Sequence, residues 1–204
     1  WRQGLITPIL VGRAETIREV AEAAGEDLGD LEIIDVGDHG KAAARSVELV
    51  HEGRASAIMK GYLPSDELLG HITKRDGGLR TTRRLSHVFV MDLPGLPHPL
   101  IVTDAAINIA PDLDAKVDIV QNAIDLARAI GMEQPRVGIL SAVETVNTKI
   151  PSKVNAAVLD KRTEHGQIKG RVCIKGDVSN PCKAEDLVIA CDHRTPLPKM
   201  TILS

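Results

Sequence analysis

The chain has 204 residues, of which 43% are hydrophobic and 26% charged, with a formal net charge of -3. That length holds one large domain, or one domain and part of a second. The balance is that of a soluble globular protein and gives no general attraction to nucleic acid or to an anionic membrane. Aromatic residues make up 1% of the chain, namely Trp1, Tyr62 and Phe89, so the core must be built from Ala, Val, Ile and Leu, and base stacking on aromatic platforms is disfavoured.

A first strand is expected over residues 5–11, with Pro8 where no ladder hydrogen bond is needed, and Gly12 ends it. Residues 14–24 read as a helix with Ile17, Val20, Ala21 and Ala24 on one face. A second strand follows at 31–36, and a second helix at 41–51 with Ala44, Val47 and Val50 toward the core. A short third strand at 55–59 runs into Lys60-Gly61. Ser65 can cap a third helix with Leu68, Leu69 and Ile72 as its buried stripe. Asp76-Gly77-Gly78 is a turn, residues 80–84 are a basic run, and 85–91 form a fourth strand. Prolines 94, 97 and 99 mark a loop. The run from Leu100 to Val102 is a strand that ends in Thr103 and Asp104, with Asn108 four residues after Asp104. The longest helix spans 114–130, with Val117, Val120, Ala123, Ile124 and Ala127 near one face. A strand at 136–140 delivers Ser141, a helix can start at Pro151-Ser152 and run to Leu159, and 171–174 can form a strand. No second core is evident in 171–204.

Strands alternating with helices of ten or more residues predict an α/β fold with a mostly parallel sheet. In such sheets ligands sit outside the carboxyl ends of the strands. Asp104 with Asn108, Lys60-Gly61, Ser86-His87 and Ser141 are each placed at a strand end, which suggests one shared crevice. Each also has a plainer reading. Asp104 can simply cap the next element, and Lys60 can be a surface lysine beside a turn glycine. The basic run 80–84 matches phosphoryl oxygens but also reads as a solvated face. Ser86 and His87 are neighbours in a strand and point to opposite faces, so a packed or capping histidine is favoured over a nucleophile pair. Ser141 with Glu144 can hold an anion at a helix start or form a capping box. There is no GxxxxGK[ST] loop, no GxGxxG fingerprint and no metal-ligand spacing.

Cys173, Cys182 and Cys191 are odd in number and lack a CxxC pair, which favours a reduced, cytoplasmic location. No run is apolar and long enough to span a bilayer, and no signal-peptide pattern is present. The chain starts at Trp1 without a Met, so the natural N-terminus is expected upstream.

Taken together, residues 57–61 (Ala-Ile-Met-Lys-Gly), 79–89, 103–113 and 139–144 resemble the phosphate acetyl/butyryl transferase family in order and spacing. Gln121-Asn122-Ala123-Ile124 fits as well, and Pro151-Ser152 with residues 166–170 fits more thinly. The resemblance covers about residues 4–170 and implies two α/β domains around a cleft, usually in a homodimer. Each domain would be a three-layer structure with helices on both faces of the sheet. Residues 1–145 would be the first domain and 146–204 a partial or divergent start of a truncated second one.

The resemblance further implies acyl transfer between coenzyme A and phosphate through an acyl phosphate, with coenzyme A as co-substrate and no bound cofactor. The implied substrate-binding residues are Ser86, Thr103, Asp104, Asn108 and Ser141, joined by Lys60 and Arg80 for phosphate or coenzyme contact. No catalytic residue and no metal is assigned. The alternatives are an inactive remnant that binds an anion or coenzyme A, and an interaction module that pairs with an intact homologue. An unrelated α/β oxidoreductase is disfavoured because the dinucleotide fingerprint is absent, and protection by NAD rather than coenzyme A against thermal unfolding would revive it.

Relatives in this family continue with a Gly-Pro-Leu segment followed by Asp, an Ala-Asp-Ile strand and a Ser-Arg-Ala-Asp segment. The Ser-Arg pair and its nearby Asp serve catalysis there, and none of these segments occurs in 171–204. A frameshift, a pseudogene product or a truncated gene model would give such a tail. Coding DNA past codon 170, read in the other frames, is then expected to encode Gly-Pro-Leu and Ser-Arg-Ala-Asp, and their absence would contradict the frameshift.

Overall fold

The computed structural model describes residues 1–96, 98–104, 106–140, 151–168, 171–175 and 187–190. The chain forms two compact units, Trp1–Thr82 and Arg83–Ser204. The boundary expected near residue 145 falls outside the described residues.

In the first unit, β1 (Ile9–Gly12) pairs in parallel with β2 (Glu32–Asp35) through the crossover helix α1 (Ala14–Ala23). Pro8, which lacks an N–H, stands just outside the ladder. α2 (His39–His51) starts at Asp38, whose carboxylate accepts the Lys41 N–H at 2.8 Å and satisfies one orphan donor of the first turn. It buries Ala43, Val47 and Leu49, so the inward stripe lies one residue before the Ala44 and Val50 positions expected. α3 (Ser65–Ile72) buries Leu68. Its N-cap position is Pro64, not Ser65, and no side chain caps it. Gly78 closes the turn after α3, where a Cβ would lie 2.3 Å from the Lys74 carbonyl oxygen, too close for any other residue without movement.

Two further expectations fail in this unit. Residues 55–59 form no strand: Ile58 turns partly inward, while Met59 is 91% exposed. Val20 of α1 is 64% exposed, and the partly buried residues of the helix are Ala14, Ile17 and Ala21.

The second unit is built on a five-stranded sheet in the order β3-β4-β7-β5-β6. Its strands are β3 (Val88–Met91), β4 (Leu100–Thr103), β5 (Arg136–Leu140), β6 (Arg171–Lys175) and β7 (Leu187–Ala190). β3 runs antiparallel to β4, and the remaining pairs are parallel. The fold is therefore α/β and mostly parallel, as expected. Residues 171–175 and 187–190, in which no core was legible, supply two of the five strands.

α4 (Leu113–Ala129) crosses from β4 to β5 and is capped by Asp112, whose side chain accepts the Ala115 N–H at 2.8 Å. α5 (Pro151–Glu164) crosses from β5 to β6 and is one turn longer than expected. Ile101 of β4, Val137 and Ile139 of β5, Val120, Ile124 and Ala127 of α4, and Leu159 of α5 form the core with Met132 and Ile168. No helix among the described residues is long and apolar enough to cross a membrane.

Ile124 is fully buried in this cluster, so Ile124→Ala is expected to lower stability by about 2–5 kcal/mol through lost burial and a cavity. Val20→Ala should change it by less than about 0.5 kcal/mol, as an exposed position does. Urea unfolding followed by circular dichroism compares the two.

Candidate functional site

The site-bearing residues of the second unit meet at one edge of the sheet because β3 runs against β4. Register pairs Val88 with Thr103, so the start of β3 lies beside the carboxyl end of β4. Ser86 and His87 therefore lead into a strand rather than leave one, and the antiparallel turn of β3 brings them to the edge from which Asp104 departs. Thr103 also registers with Ala190, and Ala190 with Ile139, so β4, β7 and β5 end at that same edge. Ser141 follows β5 and lies outside the described residues.

Asp104 is 1% exposed and holds this edge together. Its Oδ1 accepts the N–H groups of His87, Ala106 and Ile107 at 3.3, 3.2 and 3.1 Å. Its Oδ2 accepts the Asn108 backbone N–H at 3.1 Å and the Asn108 side-chain amide. Burial opposes the charge, but the Asn108 amide and the backbone donors of Ile107, Ala106 and Asn108 outweigh it and hold the carboxyl below the usual carboxylate range. Asn108 Nδ2 also donates to the Leu85 carbonyl at 3.0 Å. Thr103 is 0% exposed, and its hydroxyl donates to the His87 carbonyl at 2.7 Å.

Thr103 and Asp104, expected to bind substrate, stand inside the carboxyl end of β4. Both are buried, and their polar groups are engaged by the chain itself. Ser86 and Asn108, by contrast, are partly exposed at the edge. His87 packs its ring edge-on against Phe89, with centroids 4.4 Å apart. Its Nδ1 is buried without a hydrogen-bond partner among the described residues. The packed-histidine reading fits this arrangement.

The basic run divides between the units. Arg80 is exposed in the first unit. Arg83 belongs to the second, where its guanidinium pairs with Asp125 at 2.6 Å. Burial raises the Asp125 carboxyl, and the hydrogen bonds from Arg83 and Gln121 bring it below its ordinary value. The Arg84 N–H donates to Asp118 at 2.9 Å, and Asn122 Nδ2 donates to the Arg84 carbonyl at 2.9 Å and to Ser86 Oγ at 3.0 Å. Asp118, Asn122 and Asp125 thus bind 83–86 to α4. In the sequence Asn122 stands in a stretch that fits the family, with no role of its own. The signal available was the spacing of 118, 122 and 125, which puts three polar groups on one helical stripe.

Lys60 stands in the first unit, where its Nζ donates to the Leu63 carbonyl at 2.9 Å. It lines a cleft of about 310 Å³ with Gly12, Thr16, Gly37, Ser46 and Tyr62, at the carboxyl ends of β1 and β2. No cluster of metal-ligating side chains occurs among the described residues.

The fold is that of the phosphotransacylases. A branched-chain phosphotransacylase from Enterococcus faecalis V583 superposes with a TM-score of 0.68 at 24% identity, covering 91% of this chain and 80% of that one. A phosphotransacetylase from Streptococcus pyogenes gives 0.71 at 17% identity, covering 95% and 71%. At the level of sequence, the family model described as phosphate acetyl/butaryl transferase matches residues 38–179, and the chain belongs to that family. It is 59% identical over 169 residues to a phosphate acetyltransferase of Rhizobium meliloti, covering 83% of this chain and 54% of that protein. It is 40% identical over 171 residues to a phosphate butyryltransferase of Clostridium acetobutylicum, covering 84% and 57%. The chain spans about half the length of the curated relatives it matches.

A carboxyl that ionises more readily in the folded than in the unfolded chain adds stability above its unfolded value, near pH 4. That contribution drains away as pH falls through the lower folded value. Asp104→Asn replaces an acceptor oxygen with an amide that faces N–H groups, so it should be about 1–3 kcal/mol less stable than the parent at pH 7. The gap should begin to narrow below about pH 4, where the unfolded carboxyl takes up its proton, and go on narrowing as pH falls through the lower folded value. Urea unfolding of both chains from pH 7 to pH 3 measures it, and a gap independent of pH would contradict the assignment.

Proposed function

We propose that the chain takes part in acyl transfer between coenzyme A and phosphate through an acyl phosphate. The observation that supports this reading is the Asp104-centred edge, built from segments shared with a family whose curated relatives are phosphate acetyl- and butyryltransferases. In the transfer, the sulfur of coenzyme A attacks the acyl carbonyl carbon. The carbon–sulfur bond forms, the carbon–oxygen bond to phosphorus breaks, and phosphate leaves with the electron pair. The thiol proton must pass to a base, which is left unassigned. Such a site needs donors for the phosphate and for the developing oxyanion.

In this reading Ser86 and Asn108 present polar groups to the substrate, while Thr103 and Asp104 act as positioning residues that fix the 85–87 and 106–108 segments. Ser141, next after β5 in the sequence, is a further candidate for substrate contact. Lys60 and Arg80 are taken as further candidates for phosphate or coenzyme contact. We assign the active form as a cytoplasmic homodimer.

A second reading is favoured by residues 171–204, which carry no match to the family's Ser-Arg-Ala-Asp segment. The chain would then bind an anion or coenzyme A without turnover, or pair with an intact homologue.

Incubation of the purified chain with coenzyme A and either acetyl phosphate or butyryl phosphate, followed by thioester absorbance, separates the two. Turnover that falls at least tenfold in Asp104→Ala is the expected result, a loss of about 1.4 kcal/mol of transition-state stabilisation. A folded chain that binds coenzyme A and forms no thioester would establish the binding reading instead.

A further inference from the structure

The Asn122 amide is oriented without ambiguity by its neighbours. Arg83 Nη1, which can only donate, lies 3.3 Å from Asn122 Oδ1. The Arg84 carbonyl, which can only accept, lies 2.9 Å from Nδ2. The amide hydrogen left over on Nδ2 therefore faces Ser86 Oγ at 3.0 Å, and Ser86 must accept. Its own hydroxyl proton has no acceptor among the described residues. Ser86 is partly exposed and stands at the edge where β4, β7 and β5 end.

We propose that Asn122 is a positioning residue that fixes the polarity of Ser86, so that the Ser86 hydroxyl donates outward to a phosphoryl oxygen. The chain of bonds runs from the Arg83 guanidinium through the Asn122 amide to Ser86, and each link polarises the next in the same direction. Asp125 holds the guanidinium at 2.6 Å at the far end. A serine whose oxygen already accepts a hydrogen bond is a better donor and has no competing inward orientation. The inference rests on the acyl-transfer reading for the identity of the ligand, while its hydrogen-bond direction rests on the geometry alone.

Asn122→Asp tests the direction. Aspartate keeps the shape and the Arg83 contact but turns the group facing Ser86 into an acceptor, which would draw the hydroxyl inward. The probe is inorganic phosphate, titrated into the full chain and followed calorimetrically, with acetyl phosphate turnover measured in parallel. Ser86→Ala and Asn122→Asp are each expected to weaken phosphate binding by about ten- to a hundredfold, the scale of one hydrogen bond to a charged group. The double variant should be no weaker than either single one, because both changes remove the same donor.

Independent, multiplying effects would overturn the relay, as would an unchanged phosphate affinity in folded Asn122→Asp or no phosphate binding by the parent. Should Asn122→Asp not fold, Ser86→Thr, which keeps the hydroxyl, must retain affinity while Ser86→Ala loses it, and any other pattern overturns the proposal. Turnover by the parent with no effect of Asn122→Asp would reject the relay and leave acyl transfer standing. A relay effect on phosphate binding without turnover would do the reverse.

Discussion

A carboxylate withdrawn from water is costly unless its lone pairs are met by donors. Asp104 is 1% exposed, and its two oxygens receive five N–H groups, from His87, Ala106, Ile107 and Asn108. Removing any of these donors would leave the charge under-compensated, so the carboxylate dictates the path of everything it binds. The loop after β4 must fold back to offer three consecutive N–H groups, and the chain entering β3 must pass within reach of Oδ1. Asn108 links both, since its amide donates to Asp104 and to the Leu85 carbonyl. The polar edge of the second unit is thus organised from one buried charge outward.

That organisation depends on the sheet order. A parallel strand at the β3 position would carry Ser86 and His87 to the opposite end of the sheet from Asp104. The antiparallel β3–β4 pair removes that distance and needs only the proline-containing loop between the strands. α4 then completes the support from the other side. Its apolar stripe, Val120, Ala123, Ile124 and Ala127, packs into the core. Asp118, Asn122 and Asp125 hold residues 83–86. One helix therefore couples the core to the site: displacement of α4 would move Ser86.

The parts of the fold with strong periodicity were legible in the sequence. α4 and β5 follow from the apolar spacing of 117–127 and the Arg136–Leu140 run, and Asp112 and Asp38 are ordinary caps whose role is visible once the helix start is placed. β7 was not legible, because Leu187–Ala190 is a four-residue apolar run, and such a run carries no period that separates strand from buried helix. The strand expected at 55–59 rested on a run nearly as short, and no strand forms there among the described residues. At the site, the sequence indicated which residues belong together but not how. Thr103 and Asp104 look like ligand contacts because they are polar residues at a strand end. Only the register of β3 on β4 reveals that both are turned into the protein. Asn122 was hidden because an amide in a helix has no chemistry of its own until its neighbours fix which end faces out.

A buried carboxylate beside a phosphate site presents an electrostatic difficulty, since two like charges a few ångströms apart repel strongly where water is excluded. The donor set around Asp104 resolves it. Five N–H dipoles point their positive ends at the carboxylate, and charge-assisted bonds of this kind offset most of its field at the surface of the loop. In the proposed reading, what remains to meet a phosphoryl oxygen is the outward hydroxyl of Ser86, since both Asn108 amide hydrogens are taken by Asp104 and the Leu85 carbonyl. In that reading the negative charge of Asp104 is an internal fastener that keeps the 85–87 segment in position, through the His87 N–H and through the Asn108 bond to the Leu85 carbonyl. A carboxylate left half-satisfied at the same position would repel a phosphate, so the proposed reading requires the complete donor set that Asp104 has.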